Sequence, residues 1–253
     1  MTGGAPPPPW VTLVRAPNPG PMTLDGTNTW LLRTGGGTVV VDPGPDDEGH
    51  LRRLAASGPV LLAVLTHHHA DHTGGAARLR ELTGCPVTAY APELCAGSAP
   101  LSEGEPLPVP GLSPDVLPTR VLATPGHTDD SVCVLVEHPA TPAVLTGDTV
   151  LGRGPTVVEG RLAAYLRSLD RLHTLGPIAA LPGHGPVLAS IADAAAQLSA
   201  HRRERVEQVR AALAAGATTA EDVVERVYPG LEPGLRRAAL HSTHGALDYL
   251  REA

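Results

Sequence analysis

VLLAVLTHHHADH, residues 60–72, joins an apolar run, Val60 to Leu65, to a six-residue segment with the spacing His-x-His-x-Asp-His. The run has the length and composition of a buried strand, so the donors stand just beyond a strand end. In an extended chain residues i and i+2 point to the same side, so His67 and His69 can grip one cation together. Asp71 and His72, past the strand end, can turn toward a second. His68 then points away and is not expected to ligate. Imidazole nitrogens and carboxylate oxygens are good zinc donors, and the same donors accept iron or manganese. A loop that merely happens to be rich in histidine is the bland alternative. It explains one His well, and four donor side chains at i, i+2, i+4 and i+5 poorly.

A zinc ion takes about four ligands and a catalytic one keeps a position open, so this segment cannot complete two sites. Three later positions offer the rest. His127 stands in TPGHT (124–128) after the apolar run Arg120 to Ala123, Asp148 in TGDT (146–149) after Ala143 to Leu145, and His184 in PGHGP (182–186) after Ile178 to Leu181. Each follows an expected short strand and sits beside glycine, which permits tight turns and close backbone approach. Taken singly each reads as an ordinary turn. As an ordered set at one end of several strands they form a candidate dinuclear centre.

That set resembles the metallo-beta-lactamase superfamily of hydrolases. The resemblance implies that His67, His69 and His127 hold the first zinc, that Asp71, His72 and His184 hold the second, and that Asp148 bridges them. It also implies an αββα sandwich of two sheets covered by helices. NPGPMTLDGTNT (18–29), TPGHTDD (124–130) and LPGHGP (181–186) are similar to the subfamily called beta-lactamase-like protein 2, known for a zinc-dependent endoribonuclease acting on single-stranded RNA. Ser131 stands where some relatives are expected to carry His; it is not among the ligands, so the departure bears on substrate.

Two divalent ions about 3.5 to 4 Å apart can share and acidify a water and stabilise charge on the attacked group. No protein nucleophile is then needed, in keeping with a chain that has no Gly-x-Ser-x-Gly elbow. Asp71 is the candidate catalytic residue, orienting the attacking water and accepting its proton. His68, His173 and His201 are candidates for the general acid, each with a plainer reading as an ordinary histidine. The leading expectation is hydrolysis of a phosphodiester in single-stranded RNA. The alternative is a thioester or lactone hydrolase resembling glyoxalase II. A non-hydrolytic diiron redox protein on the same fold is disfavoured, because those carry Glu where His69 stands.

Composition bounds these readings. The 253 residues are 42% hydrophobic, enough for one substantial domain and a small appendage. The expected division is a flexible segment 1–9, a catalytic domain 10–189 and a helical, winged-helix-like extension 190–253. Helices are expected at Asp46 to Ala56, Gly74 to Leu82, Leu162 to Leu175, Ile191 to Ala215 and Pro233 to Leu250, with Thr218, Thr219 and Asp222 capping one more. Strands are expected at Val11 to Arg15, Thr29 to Arg33, Thr38 to Asp42, Val60 to Thr66, Val87 to Tyr90 and Ser131 to Glu137, besides those preceding the three later donors.

All 19 basic residues are Arg and the net charge is −7, a poor field for attracting a polyanion unless metal ions and local arginines reverse it. From His201 onward eight Arg meet eight acids, so DNA binding by the helical part is not expected. Cys85, Cys95 and Cys133 fit free thiols in a reducing cytoplasm, the expected compartment. No apolar stretch is long enough for a membrane span, and nothing specifies an oligomeric state. Asn28 and Thr29 read equally as substrate-facing or as a turn, and Arg153 as an anion contact or a solvated loop. The Trp and Tyr residues are too scattered for a base-stacking platform.

Overall fold

The computed structural model describes residues 4–111, 116–232, 234 and 236–252. Among these described residues nine strands form two sheets. The first contains β1 (Val11–Arg15), β2 (Asn28–Arg33), β3 (Thr38–Val41), β4 (Val60–Val64) and β5 (Val87–Thr88), in that order across the sheet. The second contains β6 (Thr119–Ala123), β7 (Val132–Val136), β8 (Ala143–Gly147) and β9 (Ala179–Pro182), also in chain order.

Alternation along the strands sorts the side chains into layers. Val39 and Val41 of β3, Leu62 and Val64 of β4, and Trp30 and Leu32 of β2 point to the inner face, where they meet Val121, Val132, Val134, Val136 and Leu145 of the second sheet. The intervening Val40, Ala63 and Leu31 face outward onto Leu51, Leu54 and Leu79. Those three belong to α1 (Glu48–Ala55) and α3 (Ala76–Thr83). Leu122, Cys133, Leu135 and Val144 face outward from the second sheet onto Tyr165, Leu169, Leu172 and Ile191, which lie on α4 (Leu162–His173) and α5 (Ile191–Ala214). Both faces of each sheet are therefore covered, and the expected αββα sandwich is the fold. Each fully buried Leu or Val side chain contributes roughly 1.5–3 kcal/mol of transfer free energy.

Strand direction places the site. β3 and β4 run parallel, and so do β8 and β9. β6 and β8 are both antiparallel to β7, so β6, β8 and β9 point the same way. The Val132 amide donates to the Thr66 carbonyl (2.9 Å), joining the two sheets where β4 ends. The short helix α2 (Ala70–Thr73) follows at once.

α5, α6 (Ala220–Val227) and α7 (Arg236–Glu252) make the helical extension. The α6 start has the expected cap: Thr219 Oγ1 accepts from the Asp222 amide, and the Asp222 carboxylate accepts from the Thr219 amide. The likeness to a winged helix stops at the helices, since among the described residues no strand follows β9. The expected start of the last helix at Pro233 falls on a residue outside those described. Residues 4–9 carry no helix or strand, and the Ala5 amide donates to the Val187 carbonyl (3.1 Å). The three cysteines are free. Among the described residues no helix is long and apolar enough to cross a membrane.

Candidate metal centre

The seven expected donors converge at the strand ends. His67, His69 and His127 bring ligand atoms within 4.8 Å of one another, and so do Asp71, His72 and His184. Asp148 lies between the sets: Oδ1 is 3.4 Å from His72 Nε2, and Oδ2 is 3.4 Å from His184 Nε2 and 3.8 Å from His127 Nε2. Backbone geometry aims these groups. At Gly126, φ is +147° and a Cβ would stand 2.4 Å from Tyr165 Cβ, so only glycine makes the turn that presents His127.

The outer hydrogen bonds decide which ring nitrogen faces inward. His127 Nδ1 donates to the Val157 carbonyl (2.8 Å) and His184 Nδ1 to the Gly26 carbonyl (3.3 Å). His72 Nδ1 donates to Asp42 Oδ2 (2.9 Å). Thr66 Oγ1 donates to Asp42 and so accepts from His67 Nδ1 (3.0 Å). In all four rings Nδ1 carries a proton and Nε2 points into the cluster. His69 is turned the other way, with Nε2 toward Glu159 Oε2 (3.3 Å) and Nδ1 inward.

Inward-facing nitrogens consequently approach closely: His67 Nε2 to His69 Nδ1 is 3.2 Å, His127 Nε2 to His69 Nδ1 is 3.0 Å, and His72 Nε2 to His184 Nε2 is 3.2 Å. Lone pairs facing each other at these distances repel unless positive charge lies among them. Asp148 Oδ1 is buried with no hydrogen-bond partner. The donor set thus fits divalent cations.

The electrostatics split the cluster: two rings stay neutral, whereas two favour a second proton that a bound cation would displace. Burial, aided by His72, holds His67 well below the usual imidazole range, and burial also lowers His127, so both remain neutral donors. Burial pushes His184 down too, but Asp148 and Asp71 outweigh it and raise it to about 9. For His72, Asp148 and Asp42 likewise outweigh burial and raise it well above the ordinary value. Burial would raise Asp148 and Asp71, yet the neighbouring His72 and His184 hold both carboxyls low and ionised.

The remaining candidate residues lie outside the seven-donor cluster. His68 points away as expected: its side chain is exposed, with Nδ1 2.7 Å from Asp130 Oδ1. His173 bonds the Ala192 carbonyl (3.0 Å), and His201 lines a separate cavity under α7. Asn28 and Thr29 are fully buried and do not face substrate. Asn28 Nδ2 donates to the Pro182 and Gly185 carbonyls (3.0 and 2.8 Å), clamping the turn that carries His184. Arg153 pairs with Asp25 (3.0 Å). Asp42 received no role from the sequence, although its setting, Val-Val-Val-Asp-Pro-Gly at a strand end, was the available signal.

The family model described as Metallo-beta-lactamase superfamily matches residues 22–189. An atrochrysone carboxyl ACP thioesterase of Aspergillus fumigatus is 34% identical over 242 residues, spanning 87% of this chain and 74% of that protein. A beta-lactamase-like protein 2 homolog of Caenorhabditis elegans is 30% identical over 254 residues, spanning 95% and 83%. Among solved structures, a metallo-beta-lactamase family protein from Thermus thermophilus superposes with a TM-score of 0.76 at 28% identity, covering 96% of this chain and 94% of that one.

Proposed function

The chain belongs to the metallo-beta-lactamase superfamily of metal-dependent hydrolases, and from that premise we propose that it is a dinuclear zinc enzyme that hydrolyses a thioester. His67, His69 and His127 would hold one ion, Asp71, His72 and His184 the other, with Asp148 between them. Such ions supply Lewis acidity and a water acidic enough to attack near neutral pH.

The chain's own residues do the rest. Asp71 is the carboxylate of the cluster that solvent reaches, at 29% side-chain exposure against 9% for Asp148. Held ionised and 3.1 Å from His184 Nε2, it is placed to orient a water and take its proton. The buried Asp148 is placed to hold the two halves of the cluster at fixed separation.

The charge at the rim carries the choice of substrate. The charged partners of the outward-facing histidines are carboxylates, Glu159 beside His69 and Asp130 beside His68, while Arg153 is already paired with Asp25. With a net charge of −7, this rim suits a substrate reacting at a neutral acyl carbon better than a polyanion. The similarity to a carboxyl ACP thioesterase supports the same reading.

Phosphodiester hydrolysis in single-stranded RNA is the second reading, favoured by similarity to a beta-lactamase-like protein 2 homolog across 95% of this chain. Zinc-loaded protein offered an acyl-glutathione thioester, an acyl-pantetheine thioester and a short single-stranded RNA separates the two, with His69→Ala as control. Thioester cleavage is expected; RNA cleavage without thioester cleavage would replace the first reading with the second. Elemental analysis showing mainly iron would remove zinc.

A further inference from the structure

Away from the metal centre, Arg202 on α5 is only 8% exposed. Its Nη2 donates to the Thr156 carbonyl, its Nη1 lies 3.5 Å from Ser242 Oγ, and its guanidinium stands 5.8 Å from the Tyr165 ring centre. Its Nε is buried with no hydrogen-bond partner. Among the described residues no carboxylate pairs with it. A buried, uncompensated guanidinium is costly, so a chain that keeps one has placed positive charge where an anion can use it.

Arg202 lines a cavity of about 340 Å³ between α5, α7 and the segment 155–158, a size that takes a small organic molecule. The cavity wall includes Val157, Val158, Leu162, Tyr228, Leu231 and Ala246. Arg205, His201 and His241 also border it, and among the described residues no Asp or Glu does. In a chain of net charge −7 that is a local reversal of sign. Arg205 Nη1 donates to Gln208 Oε1 (2.7 Å) and its guanidinium stacks on Tyr228 (4.3 Å), which holds it in place without neutralising its charge. His241 Nε2 donates to the Val158 carbonyl (2.6 Å).

We propose that this cavity is a binding site for a small apolar carboxylate, its head group at the Arg202 guanidinium beside the Ser242 hydroxyl and its aliphatic or aromatic body against Val158, Leu162 and Leu231. Arg205 is held flat on Tyr228, which leaves Arg202 and the Ser242 hydroxyl to meet the head group, and two such donors suit the two oxygens of a carboxylate. Thr156 and Val157 form the wall toward the metal centre, where they bond His127 Nδ1 at 3.1 and 2.8 Å. The site is nevertheless separate from the metal cluster, and the proposal stands whether or not a thioester is the substrate.

Calorimetric titration of the metal-loaded full chain with octanoate, acetate and 1-octanol tests it. Octanoate is expected to bind once per chain, with acetate and 1-octanol at least tenfold weaker; the acetate arm accounts for carboxylate binding at the metals. Arg202→Met is expected to weaken octanoate at least tenfold. Gly245→Leu fills the cavity from a helical position where a Cβ meets no atom within 4 Å; it should abolish octanoate binding without lowering Tm, and it carries the test if Arg202→Met does not fold. Absence of octanoate binding, equal affinity for 1-octanol, or octanoate affinity unchanged in Gly245→Leu would overturn the proposal.

Discussion

Asp42 Oδ2 lies 2.9 Å from His72 Nδ1, and neither side chain meets solvent. The same carboxylate accepts from the Thr66 amide through Oδ1 and from the Thr66 hydroxyl through Oδ2, each at 2.8 Å. One acid at the end of β3 therefore fixes the tautomer of His72 and, through Thr66, that of His67. It does so from a left-handed backbone, φ +55°, a conformation that Asp tolerates better than most residues.

Asp42→Asn should weaken metal binding about 10- to 100-fold, the usual effect of removing a group that orients a ligating His. The amide can still accept from Thr66, but it offers His72 Nδ1 a donor and so moves the ring proton to Nε2, away from a ligating state. Metal content after competition with a chelator, measured beside an unfolding curve, checks it. Wild-type metal retention would show that the carboxylate is dispensable.

His69→Ala should abolish hydrolysis and lower bound metal by about one ion per chain, while far-UV circular dichroism stays that of wild type. His69 is partly exposed beside Glu159, so its removal takes little from the core. Chelation of wild type should give the same loss, reversed by added zinc. Equal turnover of His69→Ala and wild type would contradict the assignment of this ring to the site.

The sandwich was legible because both faces of its sheets are covered. Val132 to Val136 and Val60 to Val64 are apolar throughout, and the run from Val60 leads directly to the donors His67 to His72. The donors were legible by type and order. Their supports were not: the carbonyls of Gly26 and Val157 have no signature in sequence, and Asp42 is one of several acids at a strand end. Asn28 looked like part of a polar turn, yet it is buried to satisfy carbonyls more than 150 residues away in the chain. Arg202 looked like one charge among many on α5, since helical periodicity alone does not reveal that another helix and the 155–158 segment cover that face.

His50 gives the fold a pH dependence of its own. The ring is buried and its Nε2 lies 3.0 Å from Thr29 Oγ1, whose hydroxyl is spent on the Asp42 carbonyl (2.7 Å). Nε2 therefore donates, and Nδ1 faces Arg53 Nη2 (3.4 Å) as an acceptor. Burial first, and Arg53 next, lower its pKa to about 4 against an opposing pull from Asp47. A folded value below the unfolded one means that this stability is complete above about pH 6.5 and is lost as pH falls toward 4, to at most on the order of 3 kcal/mol. Urea unfolding at pH 7.5 and 5 should show a larger drop for wild type than for His50→Gln. Equal drops would place the dependence elsewhere.

Gly183 separates the site from the fold in a single substitution. Its φ is not in the left-handed region, so alanine costs the backbone little there. The added Cβ would stand 2.4 Å from Asp148 Oδ1 and 2.7 Å from His72 Cε1, and 3.1 Å from the Gly147 carbonyl carbon. Two of those three atoms belong to proposed ligands, and His72 cannot retreat because Asp42 holds its far side. Asp148 must therefore swing, pulling Oδ2 from its position between His184 and His127. Gly183→Ala should lose at least tenfold in metal affinity and in turnover, while Tm of the metal-free protein changes by no more than a few degrees. A metal-free Tm lowered as far as by a core cavity would mean that Gly183 serves the packing of β9. Unchanged metal affinity would mean that Asp148 moves freely and does not hold the two halves of the cluster together.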